Sequence, residues 1–194
     1  YDVNERAARL VYTWRTDDER TGTTVIDTAT GDVVREMPSS PAWSVFRISP
    51  DGTALAYSAP GEKGAIALWR CGIDGRTPEL VLDKPGSILR DPSWRPDGQA
   101  LVFISIDAAN LRHCTSIFDL GIRARELDLL TGEVSDVAGS PLQPIGRMRI
   151  LAARTRDCGR ILFHYLRGED NYLFNDVFVA EQTQGGNQKW FGWR

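Results

Sequence analysis

The stretch from Trp43 to Tyr57 reads WSVFRISPDGTALAY. It predicts a short strand, a tight turn at Ser49 to Gly52, and a second strand of small, apolar and aromatic residues. Proline before Asp-Gly fixes φ at the start of such a turn, and glycine accepts the positive φ that follows. The same pattern returns at Ser93 to Phe103, SWRPDGQALVF. Two copies of one strand–turn–strand unit in one register indicate a repeat protein.

Two independent landmarks give the period of this repeat. The aromatic residue of the second strand recurs at spacings of 45, 46 and 60, at Tyr12, Tyr57, Phe103 and Phe163. The glycine of a later hairpin recurs at spacings of 44, 57 and 54, at Gly31, Gly75, Gly132 and Gly186. The longer steps coincide with an insertion after Ile106 and a looser stretch at Gly168 to Asn175. Four strands in about 45 residues are typical of a β-propeller blade.

The predicted fold is therefore an all-β propeller of four-stranded antiparallel blades, with about four blades in the 194 residues. The approximate blade limits are 1–40, 41–85, 86–143 and 144–194, and the first unit shows only its later strands. A sandwich or a lipocalin-type barrel is the alternative, since both also consist of short strands and turns. Neither alternative requires a Pro-Asp-Gly turn at one phase of every fourth strand.

Two boxes, FRISPDGTALAYSA and PSWRPDGQALVFIS, resemble the repeats of TolB-type propellers, which are WD-like repeats with a central W-S-P-D-G box. In the fourth unit, ARTRDCGRILF keeps Asp157 but has Cys158 in place of glycine, so a reshaped turn is expected there. The resemblance implies a ring of usually six or more blades. We therefore expect part of a larger propeller, or a half-ring that closes by self-association; a closed four-bladed ring is the alternative.

Composition excludes several classes of function. The formal net charge of -3, from 23 basic and 26 acidic residues, argues against a general nucleic-acid-binding or anionic-membrane surface. No apolar run approaches the roughly 18 residues of a transmembrane helix. The chain opens on Tyr1 without a signal-peptide pattern, as expected of a processed chain or of part of a longer one.

The cysteines and histidines fit no compact metal motif, and no metal or other cofactor is expected. The three cysteines are Cys71, Cys114 and Cys158. Three buried thiols acting as small hydrophobic groups are favoured, while one disulfide with a free thiol stays open.

Catalytic motifs are missing from the sequence. It contains no G-x-S-x-G, P-loop, G-x-G-x-x-G or H-E-x-x-H pattern, so no catalytic residue is predicted. One aspartate per repeat occupies the tight turn, at Asp51, Asp97 and Asp157. We interpret these as caps of their own turns rather than as a metal-binding ring.

Candidate binding residues fall in three places. The innermost strands, which line the channel of a propeller, carry Arg47, Arg90, Arg147 and Arg149. Converging guanidinium groups suit an anionic ligand or the carboxylates of a partner, unless they pair with acidic residues of the chain itself. The insertion 107–123 holds Arg112, His113 and Phe118, and loops on rigid scaffolds often carry binding residues.

Aromatic residues form the third set. We expect Trp43, Trp69 and Trp94 to pack between blades, because they fall at strand positions. Trp190 and Trp193, in the terminal KWFGWR, either pack as the last strand or present an aromatic patch to a partner such as a sugar face.

These patterns favour a non-catalytic scaffold that binds a protein or peptide partner, or a small ligand, through its rim loops and central channel. The alternative is a propeller domain of, or accessory to, an enzyme acting on peptides (prolyl-oligopeptidase-like) or polysaccharides, with the catalytic part outside this chain. The resemblance to TolB-type propellers implies a periplasmic, cell-envelope or secreted setting, whereas the residues themselves do not fix the compartment.

Overall fold

The computed structural model describes residues 1–38, 45–63, 65–109, 123–137, 151–154, 160–169, 172–182 and 188–193; for Pro38 and from residue 151 onward, only the backbone is described. Sixteen strands within these ranges form four sheets of four strands each. The first sheet contains β1 (Asp2–Asn4), β2 (Arg9–Arg15), β3 (Thr21–Asp27) and β4 (Val33–Pro38). The second contains β5 (Arg47–Ile48), β6 (Ala54–Pro60), β7 (Ile66–Gly72) and β8 (Glu79–Leu82). The third contains β9 (Ser87–Trp94), β10 (Ala100–Asp107), β11 (Arg123–Asp128) and β12 (Val134–Asp136). The fourth contains β13 (Leu151–Arg154), β14 (Arg160–Glu169), β15 (Tyr172–Gln182) and β16 (Gln188–Trp193).

Every sheet pairs its strands antiparallel and in chain order. This up-and-down arrangement is that of a propeller blade, and it confirms the predicted fold class. No helix within the described part of the chain has the length and hydropathy of a transmembrane span.

The sequence pattern missed or misplaced a few strands. The first unit does have an innermost strand, β1, whose three residues are too few for a recognisable alternation. Strand β5 is only Arg47–Ile48, although a strand was predicted from Trp43, which lies outside the described residues. The sequence pattern predicts a strand over Arg125 to Leu130, but β11 begins at Arg123, and Leu130 belongs to the following turn. The segment Cys114 to Leu120, for which the sequence left a strand and one short helix open, and the turn Arg156 to Gly159 also lie outside the described residues.

The sheets pack face to face in chain order because each strand alternates apolar side chains between its two faces. Between the first and second sheets lies a buried cluster of Val11, Val25, Phe46, Ile48, Leu55 and Cys71. Between the second and third lies a cluster of Leu68, Leu89, Phe103 and Leu127. Strand β13 of the fourth sheet contacts β9 and β10 of the third. Among the described strands, no comparable contact joins the fourth sheet to the first.

The Pro-Asp-Gly turns have the predicted geometry. Gly52 and Gly98 adopt φ values of 76° and 74°, the left-handed region that glycine tolerates best. Their amides donate to the carbonyls of Ser49 and Arg95 at 2.9 and 2.8 Å. Because strands alternate in direction, the turns between the first two strands of the first, second and third sheets all emerge at one end of these blades. We call this end the turn face; the opposite end, which holds the hairpin 16–20, is the loop face.

Candidate functional site

A cleft of about 590 Å³ opens on the turn face where the first three sheets meet. Its walls come from the β1–β2, β5–β6 and β9–β10 turns, with one residue from β7. The side chains that give it its character are Arg6, Pro50, Arg70, Trp94 and Pro96. We refer to it as the turn-face cleft.

Asn4 fixes the position of the β1–β2 turn at the edge of this cleft. Its side-chain amide donates to the carbonyls of Ser49 and Pro50 at 2.7 and 3.2 Å. Its carbonyl oxygen accepts from the amide of Ala7 at 3.0 Å. One residue thus joins the turn that carries Arg6 to the Pro-Asp-Gly turn of the next sheet, so the two walls of the cleft are held together.

Trp94 forms the apolar wall of the cleft and bridges two sheets. Its indole Nε1 donates to the backbone carbonyl of Arg47 at 2.9 Å, a partner that a half-buried tryptophan requires. The ring is thereby held between the second and third sheets, where its sequence position predicted it.

The two arginines of the cleft differ in whether they form an ion pair within the described ranges. Arg70 Nε lies 2.6 Å from Glu79 Oε2 across β7 and β8. Arg6 is exposed and forms no ion pair with any residue in the described ranges. An exposed guanidinium without an internal partner is available to a carboxylate of another molecule.

The acidic turn residues at the rim already have partners. Asp51 accepts from the Ser49 hydroxyl at 2.6 Å and from the Thr53 amide at 3.1 Å, and these bonds hold the pKa of its carboxyl below 3.8. Asp97 binds the Arg95 guanidinium at 2.8 Å, which likewise lowers its pKa. Both aspartates therefore cap their own turns as predicted, while Asp157 lies outside the described residues.

No group of three or more histidine, cysteine, aspartate or glutamate side chains in the described ranges has a metal-binding arrangement. Asp51 and Asp97 sit on separate blades, and each is hydrogen-bonded to residues of its own turn.

Arg47 joins two blades rather than facing an open site. Its guanidinium lies 3.5 Å from the Asp2 carboxylate and 3.5 Å from the carbonyl of Tyr1. Asp2 also accepts from the amide of Ile48 at 2.8 Å. The innermost strands β1 and β5 are therefore connected by an ion pair and a hydrogen bond, and Arg47 pairs with an acidic residue of the chain itself.

Arg90 lies at a second, smaller cleft of about 300 Å³ near the loop-face end of the second and third sheets. Its neighbours there include Val45, Ile66 and Ile88, so the cleft is mainly apolar. The adjacent Asp91 has φ of 53° at a register shift between β9 and β10. The two described arginines of the predicted channel set thus have different surroundings.

The remaining predicted site residues are not described at side-chain level. Arg112, His113, Phe118, Arg147 and Arg149 lie outside the described residues. Trp190 and Trp193 are positions of β16, the last strand of its sheet, where they pair with Ala180 and Val177. Three positions apart on one strand, they belong to opposite faces of the sheet.

Sequence reasoning missed Arg6 and Arg70 as cleft residues. The signal for Arg70 was present, since it precedes the hairpin glycine Gly75 on a strand that ends at the turn face. No pattern marked Arg6, because its turn follows a strand of only three residues.

A buried thiol and a partly buried phenol lie between the first and second sheets, and both have raised pKa values. Cys71 is a free, buried thiol, and its desolvation raises its pKa to about 11. Burial also raises the pKa of Tyr57 to about 12; its ring stacks on Phe46 with 4.8 Å between centroids. Cys71 thus behaves as the predicted small hydrophobic group, while Cys114 and Cys158 lie outside the described residues.

No family model and no curated protein matches the chain. Solved structures do match it. TolB from Acinetobacter baumannii has a TM-score of 0.61 and 19% identity, over 94% of this chain and 41% of that one. The fold is that of TolB-type β-propellers. Oligogalacturonate lyase from Vibrio parahaemolyticus has a TM-score of 0.62 and 14% identity, over 96% of this chain and 49% of that chain.

The propeller domain of the trilobed protease from Pyrococcus furiosus, described as having an open velcro topology, gives a TM-score of 0.58 and 14% identity, over 97% of this chain and 55% of that one. At these identities the likeness concerns the fold alone. This chain spans between two fifths and just over half of the length of these three structures.

Proposed function

We propose that this chain is a non-catalytic propeller scaffold that binds a protein or peptide partner through the turn-face cleft. The observation that carries the proposal is the composition of that cleft. It combines an exposed guanidinium at Arg6, which has no ion-pair partner within the described ranges, with an indole at Trp94 and two prolines on a wall fixed by inter-sheet hydrogen bonds. By its resemblance to TolB-type propellers, the setting that we propose is periplasmic, cell-envelope or secreted.

The cleft chemistry suits a short extended segment with one acidic side chain. Its carboxylate would bind Arg6 in a bidentate pair. A neighbouring proline or aliphatic residue would pack on Trp94 and Pro96, because rigid aromatic walls give contact area at little entropic cost. A strongly acidic segment fits less well, because Asp51 and Asp97 at the rim keep their negative charge.

Selection of peptides on the chain tests this proposal. Displayed random peptides should be enriched in sequences that place an acidic residue near a proline or an aliphatic residue. The Arg6→Glu variant should bind a selected peptide at least about ten-fold more weakly, which corresponds to ~1.4 kcal/mol. The matched control is Arg20→Glu, an exposed arginine of the loop-face hairpin that pairs with Asp18, and it should leave the affinity unchanged. Equal losses in both variants would contradict the assignment of the cleft.

The other predicted contacts form a second set within this proposal. Alanine variants of these residues, titrated with the same peptide, show whether a partner extends beyond the cleft. The set comprises Arg47, Arg90, Arg112, His113, Phe118, Arg147, Arg149, Trp190 and Trp193. Within it, Arg47 is expected to act indirectly, because its guanidinium is paired with Asp2.

A second candidate function is that of a propeller domain belonging to, or accessory to, an enzyme acting on peptides or polysaccharides. The similarity to a protease propeller domain and to a lyase favours it. A longer polypeptide that contains this segment should then release product from peptide or polysaccharide substrates. Turnover by such a polypeptide would support this candidate, and its failure across both substrate classes would contradict it.

A further inference from the structure

The first sheet presents an apolar row on the face turned away from the second sheet. Backbone pairing aligns Val3 with Leu10, Leu10 with Ile26, and Ile26 with Val33, so the row crosses all four strands. Val3 is 48% exposed and Val33 is 55% exposed, and the two residues between them are partly buried. Tyr12 lies on the same face, two positions after Leu10. We call these five residues the outer face.

The equivalent row of the second sheet is covered by a neighbouring blade. The repeat places Tyr57 where the first sheet has Tyr12, and pairing aligns Ile48, Leu55 and Cys71 across β5, β6 and β7. All three are buried in the cluster shared with Val11 and Val25 of the first sheet.

The third sheet repeats the row again. Trp94, Leu101, Leu127 and Val134 are aligned across its four strands. Leu127 belongs to the buried cluster that contains Leu68 of the second sheet. In both later blades, this row is therefore the surface that receives the preceding blade. The first sheet has the same surface, and among the described strands no other sheet covers it.

We propose that the outer face receives the fourth sheet of a second copy of this chain. Contacts between the sheets run from first to fourth in chain order, so each chain offers one receiving surface and one donating sheet. On β14 and β15, Leu162 pairs with Val179. By the repeat, Leu162 and Val179 correspond to Val102 and Glu126 of the third sheet. Val102 is buried on the face of that sheet opposite to the face that carries Phe103.

Two copies related by a two-fold axis would make this contact twice and close a ring of eight blades. The outer face and the turn-face cleft are different surfaces, so this inference stands independently of the proposed function.

Light scattering on the chain and on charged variants tests the inference. The unaltered chain should have twice the 21.6 kDa mass of one copy, about 43 kDa. Val3→Glu and Val33→Glu should each reduce the mass to that of one copy, because a carboxylate cannot be buried between two sheets without a partner. Both valines are exposed in the single chain, so unchanged circular dichroism should accompany the loss of the dimer.

The matched control is Leu130→Glu. Leu130 is 93% exposed in the β11–β12 turn, away from the outer face, and the variant should stay dimeric. A monomeric unaltered chain would overturn the inference, as would a dimer that survives both valine substitutions. Open polymers in place of a discrete dimer would show that the contact does not close a ring, and would overturn it as well.

Discussion

Replacing Leu55 with alanine should destabilise the chain several times more than the same replacement at Leu10. The two leucines occupy the same position of their blades. Leu55 is completely buried between the first and second sheets, whereas Leu10 lies on the outer face and is only partly buried. The repeat thus provides a matched pair that differs in whether a neighbouring blade is present.

The magnitude follows from the groups removed. A leucine-to-alanine change deletes three carbon groups, worth about 0.8 kcal/mol each when fully buried, which gives ~2.4 kcal/mol of lost transfer free energy. A cavity between two sheets raises the total at Leu55 to about 3–5 kcal/mol. At Leu10 roughly half of the transfer term applies and no closed cavity forms, so about 1 kcal/mol is expected.

Urea denaturation followed by tryptophan fluorescence measures both changes. The substitutions are made in the Val3→Glu background, so that Leu10 stays at a free surface. The slope of the free energy of unfolding against urea should stay constant while the midpoint shifts. Equal losses at the two positions, or a loss below about 1 kcal/mol at Leu55, would refute the packing of the first sheet on the second.

Three further outcomes are expected. Gly52→Ala should lower the melting temperature more than Gly98→Ala. Both glycines have positive φ, which destabilises an alanine at either position by about 1 kcal/mol. Only at Gly52 would the new Cβ also overlap Ala7, because at Gly98 the nearest atom is 3.9 Å away. Asp97→Asn should flatten the loss of stability in acid, measured by denaturation at a series of pH values: the bond from Arg95 lowers the folded-state pKa of Asp97 below 3.8, so its contribution is present above that pH and is lost as the pH falls through the lower, folded-state value. The thiol of Cys71, with its pKa raised to about 11, should resist iodoacetamide at mildly alkaline pH in the folded chain and react after unfolding, as peptide mass spectrometry would show; rapid alkylation of the folded chain would contradict its burial.

The repeat was readable from sequence because its turns have strict chemistry. Pro-Asp-Gly fixes a turn through backbone dihedrals and one carboxylate, so Asp51 and Gly52 could be assigned their roles from local residues alone. Strand alternation likewise predicted most strands of the first three blades.

Features that depend on contacts between blades could not be predicted in the same way. The ion pair of Arg47 with Asp2 joins residues 45 positions apart and involves β1, which is too short to show a pattern. The turn-face cleft is formed by three turns that meet only after the blades have packed. Its residues have no common motif, and Arg6 in particular resembles any surface arginine until Asn4 fixes its turn against the second blade.

The proposed function is tested most directly by hydrogen–deuterium exchange of the chain with and without a selected peptide. Slower exchange is predicted on the turn face, at the amides of residues 5–8, 49, 51–54, 94–95 and 97–99, with the hairpin 16–20 of the loop face unchanged. Protection confined to the loop-face segments, or no protection at any of these turns in a saturated complex, would contradict the account.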